Sequence, residues 1–137
     1  MSNAVYYQSR GGNTKKVAEA IAKALEVEAK PITAPMVEEA DILFLGSAVY
    51  AAQLDNGTKS FIDSLAGKKI GKVVLFGTSA GGRKPFGMMR KRLEKLGFAV
   101  DEKELFIPGA WFIMNKGRPN EKDFAAAEEF AKQFKAE

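Results

Sequence analysis

A three-layer α/β domain, with helices on both faces of a doubly wound, five-stranded parallel sheet, is the fold class that the sequence predicts. Three observations predict it. Short, continuous apolar runs recur along the chain, as expected of strands buried on both faces. Segments with apolar residues at helical spacing alternate with those runs, the pattern of parallel strands joined by crossover helices. Finally, no low-complexity linker, composition shift or internal repeat divides the 137 residues, so residues 1–137 are expected to form one domain with a real core.

Taken in order, Ala4-Val5-Tyr6-Tyr7 is the first strand. Val17, Ile21, Ala24 and Leu25 then share one helical face. A weaker strand signal covers Val27 to Ile32, and Ile42-Leu43-Phe44-Leu45 is a strong third. Thr58, Phe61, Ile62 and Leu65 mark a second helix, Val73-Val74-Leu75-Phe76 a fourth strand, and Phe86, Met89, Leu93 and Leu96 a third helix. Leu105-Phe106-Ile107 is the fifth strand. A last helix is signalled by Pro119, by Asn120 as N-cap with Asp123 three residues on, and by Phe124, Ala127, Ala131 and Phe134 below them.

Composition removes much chemistry. With no cysteine there is no disulfide, thiolate nucleophile or thiolate ligand, and with no histidine the usual neutral-pH base and commonest transition-metal ligand are missing. No segment has the apolar length of a membrane span, and the chain enters a strand-like run at once rather than a secretory leader, so a cytoplasmic location is expected. A formal charge of +4 is too small an excess to imply nucleic acid.

In doubly wound sheets ligands sit beyond the carboxyl ends of the strands, where the winding reverses. The first loop there, Ser9-Arg10-Gly11-Gly12-Asn13-Thr14, leads from a strand into a helix N-terminus. Such a loop offers unpaired amides, its glycines admit a phosphate close to the main chain, and Ser9, Asn13 and Thr14 add side-chain donors. On these residues alone, an anion cradle and an ordinary strand-to-helix turn are equally good readings. The run has neither the P-loop spacing nor Gly-x-Gly-x-x-Gly. Gln8-Ser9 and Gly46-Ser47 stand where a phosphoryl-accepting receiver would need acids, and a low-molecular-weight phosphatase would need a cysteine.

The loop predicted after the third strand begins Gly46-Ser47-Ala48-Val49-Tyr50, and the one after the fourth reads Gly77-Thr78-Ser79-Ala80-Gly81-Gly82: small residues beside one aromatic, suited to a flat ligand. With Ser9-x-x-Gly12-Asn13-Thr14, these segments resemble the phosphate loop and flavin-clasping loops of the flavodoxins, short-chain type, over nearly the whole chain. The resemblance implies a strand order of 2-1-3-4-5 and FMN as cofactor. It implies that Ser9, Arg10, Gly11, Gly12, Asn13 and Thr14 hold the phosphate, and that Ala48, Val49 and Tyr50 line one side of the isoalloxazine, with Tyr50 stacked on it. It also implies that the segment Thr78, Ser79, Ala80, Gly81 and Gly82 meets the pyrimidine edge through backbone groups. Trp111 is read as packing.

No catalytic or metal-ligating residue is expected, because the flavin itself carries the redox chemistry. The leading function is an electron carrier between redox proteins; the alternatives are an FMN-dependent NAD(P)H:quinone (or other small-acceptor) oxidoreductase and a flavin-free anion-binding module. The segment after the fourth strand lacks an aromatic, so a two-sided aromatic sandwich is not expected. No glycine lies between Ala48 and Gln53, which makes a left-handed peptide flip there cost ~1–2 kcal/mol. Arg83, Lys84, Arg90, Lys91, Arg92 and Lys95 form a basic run that reads first as a solvated helix face and otherwise as a dock for an acidic partner or a phosphorylated nicotinamide. A monomer or weak dimer is expected, with no membrane partner.

Overall fold

The computed structural model describes residues 2–9, 12–36, 38–50, 53–79, 86–108 and 117–135, with Val49, Tyr50 and Gln53 described by backbone alone. In chain order the elements are β1 (Asn3–Tyr7), α1 (Asn13–Leu25), β2 (Ala29–Pro31), β3 (Glu39–Tyr50), β4 (Gln53–Leu54), α2 (Asn56–Ser64), β5 (Lys69–Ser79), α3 (Phe86–Lys95), β6 (Val100–Pro108) and α4 (Glu121–Lys132). The main sheet runs β2-β1-β3-β5-β6, every pairing parallel, which is the predicted 2-1-3-4-5 order. The short β4 pairs antiparallel with the end of β3 and was not predicted.

Strand alternation sorts the core into two halves. Val5, Tyr7, Ile42, Phe44, Val74 and Phe76 face α1 and α4, where Val17, Ile21, Ala127, Ala131 and Phe134 meet them. Tyr6, Leu43, Leu45, Val73 and Leu75 face α2 and α3, against Phe61, Ile62, Leu65, Met89 and Leu93. Both faces of the sheet are thus covered, the reason its strands read as unbroken apolar runs.

Helix ends follow local chemistry. Asn120 accepts from the Lys122 and Asp123 amides while the Asp123 carboxylate accepts from the Asn120 amide, the predicted reciprocal cap of α4. The inward stripe predicted for α3 ends one residue early: Leu96 is 37% exposed, because Gly97 turns left-handed at φ 92 and sends the chain back. There the Gly97 amide donates to the Glu94 carbonyl and the Phe98 amide to Leu93, so Phe98 fills the apolar role assigned to Leu96. Among the described residues no helix is long and apolar enough to cross a membrane.

Candidate functional site at the carboxyl end of the sheet

The site begins where the strands stop at different heights. β1 ends at Tyr7, level with Gly46 of β3, and the Gln8 amide adds one more bond to the Gly46 carbonyl. β3 and β5 continue past it in register, Ser47 beside Gly77 and Ala48 beside Thr78. The segments predicted to be loops after the third and fourth strands are therefore strand up to Tyr50 and Ser79, a correction made by the neighbouring strands, whose hydrogen bonds carry Gly46, Ser47 and Gly77 despite their low strand preference. The β1–α1 turn sits in the step left by the shorter strand.

That turn is closed from within. The Gly12 amide donates to Ser9 Oγ at 3.0 Å, and Gly12 takes φ 91, a conformation that suits glycine. Its amide is thus turned toward Ser9. The first helical bond runs from the Lys16 amide to the Gly12 carbonyl. The amides of Thr14 and Lys15 therefore lack an acceptor within the helix. No side chain caps α1 and its first turn holds no acid; it carries the exposed Lys15 and Lys16 instead. Two cations against the positive end of a helix dipole each work against the helix by about 0.3–1 kcal/mol unless an anion is present.

Two buried polar clusters lie below the turn, one on each face. On the α1/α4 side Thr14 Oγ1 and Thr78 Oγ1 are 2.7 Å apart. On the α2/α3 side Ser47 Oγ lies 3.3 Å from Gln8 Oε1, 3.0 Å from Thr58 Oγ1 and 3.3 Å from its neighbour's carbonyl, at Ala48. Gln8, Ser47 and Thr58 carried no predicted site role. Their signal was alternation: Gln8 follows Tyr6, and Ser47 follows Leu43 and Leu45, on one face. What the sequence lacks is the register that brings the two strands level.

Of the predicted site residues, Ser9, Gly12, Asn13, Thr14, Ala48, Thr78 and Ser79 gather at this rim, with Ala48, Thr14, Thr78 and Ser79 buried. Val49 and Tyr50 reach it as backbone, ending β3 beside β4. Arg10, Gly11, Ala80, Gly81 and Gly82 lie outside the described residues, as do Trp111, Arg83 and Lys84. The rest of the basic run is partly neutralised. Arg90 donates to the Val100 and Asp101 carbonyls and to Glu104 Oε2, and Arg92 forks onto both carboxylate oxygens of Asp63, whose pKa the Arg92 hydrogen bond holds below the usual range. Lys91 and Lys95 stay exposed.

The only buried Asp, Glu, Lys or Arg among the described residues is Asp123. Arg118 Nε donates to Asp123 Oδ2 at 2.6 Å, and this pair holds the carboxyl below its ordinary range despite burial, with help from the Asn120 amide. Asp123 is committed to capping α4, and the other buried polar side chains among the described residues are neutral hydroxyls and one amide.

Comparisons with known proteins agree with this architecture. An archaeal flavodoxin superposes with a TM-score of 0.80 at 22% identity, over 97% of this chain and 95% of that one. Flavodoxin 2 from Bacillus cereus superposes at 0.71 and 23%, covering 96% of each chain. A short-chain flavodoxin associated with a bacterial microcompartment gives 0.71 and 20%, over 96% and 95%. No curated protein matches the sequence. The flavodoxin-domain family model matches residues 4–107, from the first strand to the end of the fifth, and the chain belongs to that family, a flavodoxin-type flavoprotein by fold and by sequence.

Proposed function

We propose that the protein is a single-domain FMN-binding electron carrier that passes electrons between redox proteins. The observation that carries the reading is the start of α1, a helix without a side-chain cap or first-turn acid, whose amides open beside the rim of the sheet. The contrast is α4, which has both Glu121 and Asp123 in its first turn and a reciprocal cap. A phosphate monoester supplies what α1 lacks: negative charge at the dipole's positive end and acceptors for its first amides.

The residues fit the rest of FMN. Ser9, Asn13 and Thr14 offer side-chain donors around the phosphate, with Arg10 and Gly11 in the same turn. Ala48 and Ser79 present little bulk at the rim, and Val49 and Tyr50 follow Ala48 where one face of a flat ring would lie. Bound FMN supplies one- and two-electron chemistry, so the protein has to hold it, orient it and exclude water. A rim of neutral donors suits that task better than acid–base catalysis, which favours the carrier over an oxidoreductase acting on small substrates.

The test is spectroscopic. The purified protein should take up FMN in equimolar amount, with a shifted flavin absorption spectrum and altered fluorescence. Once photoreduced, it should reduce an added electron-accepting protein and show little NAD(P)H oxidation alone. Protein that leaves the FMN spectrum untouched would rule out the cofactor; rapid NAD(P)H oxidation by the isolated holoprotein would replace the carrier with an oxidoreductase.

A further inference from the structure

The hydroxyls of Thr14 and Thr78 meet in the interior, 1% and 2% exposed. Two hydroxyls bring two protons, and only one lies between the oxygens. The other finds no acceptor among the described residues. A spare donor is costly to bury, and here it sits in the first turn of α1, where the Thr14 and Lys15 amides also lack an acceptor within the helix.

We propose that Thr78 is a positioning residue for the phosphate, acting through Thr14. Thr78 donates to Thr14, whose own proton is then held toward an anionic oxygen at the α1 N-terminus. The bond polarises the second hydroxyl and makes it a better donor. This role differs from a backbone contact to the pyrimidine edge. It follows from alternation: Thr78 shares the α1/α4 face with Val74 and Phe76 and pairs in register with Ala48. The consequence is specificity, because the pair strengthens binding of a phosphorylated flavin and does nothing for the same flavin without its phosphate. The proposal rests on the FMN reading for its ligand, although its geometry concerns only the anion.

Calorimetric titration of the flavin-free protein with FMN, riboflavin and inorganic phosphate tests it. Thr78→Val should weaken FMN and phosphate roughly tenfold, the loss of one hydrogen bond to a charged group, and leave riboflavin unchanged. Thr78→Ser should restore both. The double variant Thr14→Val/Thr78→Val should bind no more weakly than Thr14→Val alone, since the second residue acts through the first. Equal losses for FMN and riboflavin, additive losses in the double variant, or no loss of FMN would each overturn it. Should Thr78→Val fail to fold by circular dichroism, the Thr78→Ala and Thr78→Ser comparison carries the same decision. Wild-type protein that binds phosphate but neither flavin would sink the FMN reading alone. An unmoved FMN-to-riboflavin preference in Thr78→Val would sink the positioning role alone.

Discussion

The ring of Phe76 occupies the space above Gly46 on the neighbouring strand, so a Cβ added to Gly46 would overlap it. Phe76 is fully buried between the sheet and α1, and it has no free volume to retreat into. Gly46→Ala should therefore destabilise the fold by about 1–3 kcal/mol. Urea denaturation measures it; an unchanged midpoint would show that the ring moves freely.

Ser47 holds three segments together: the end of β1 through Gln8, its own strand, and α2 through Thr58. Removing its hydroxyl leaves buried groups without a partner, and Ser47→Ala should cost about 1–3 kcal/mol. Because Thr58 loses its bond in either single variant, Ser47→Ala/Thr58→Val should lose less than the two singles summed. Thermal or urea unfolding of the four proteins decides it, additivity being the adverse result.

The turn makes a separate prediction about ligand binding. Gly12 needs its left-handed conformation, which costs a side-chain-bearing residue ~1–2 kcal/mol, more if β-branched. Gly12→Val should weaken FMN more than Arg10→Ala does, because amide and hydroxyl donors outweigh one hydrated cation. Titration of both variants checks this, and a larger loss in Arg10→Ala would favour a charge-dominated site.

Glu26 is the one described residue other than glycine with a left-handed backbone, φ 60, closing α1 as the Val27 amide bonds back to the Ala22 carbonyl. Its side chain is exposed and makes no compensating bond. Glu26→Gly removes the strain at the expense of a looser unfolded chain, for a net gain of about 0.5–1 kcal/mol. A higher urea midpoint is expected; a lower one would count against the assigned backbone.

Asp123 predicts an acid-side weakness. Its carboxyl is held below the ordinary value, first by Arg118 and then, against burial, by the Asn120 amide. A depressed folded pKa contributes stability in full above the unfolded value of about 3.9, lost as pH falls through the lower folded value. Asp123→Asn should cost about 1–2 kcal/mol at neutral pH and flatten the decline as pH falls below about 4. Urea midpoints across pH give the answer; an equally steep decline in the variant would place the sensitivity elsewhere.

Much of this molecule was legible in order of sequence. The cores of β1, β3 and β5 are runs with no polar interruption, and α4 announces itself through Asn120 and Asp123, two residues within one turn that settle their own geometry. Gly46, Ser47 and Gly77 read as loop because their intrinsic strand preference is low, yet β3 and β5 run through them. A parallel strand draws its hydrogen bonds from neighbours far along the chain, and no local window contains those neighbours. Leu96 was misassigned for the opposite reason, a helical period carried one step past Lys95, to the residue before the glycine that turns the chain back.

The sequence by itself determined the alternation of strands and helices, the cap of α4, and the absence of any thiol or imidazole, since these depend on side-chain type and spacing alone. Only the tertiary structure decided which hydroxyls meet. Thr14 and Thr78 are 64 residues apart, as Gln8 and Ser47 are 39. Their bonds exist because strand register levels the rim and alternation sends each side chain to its own face, and register is a property of paired strands that a single strand does not possess.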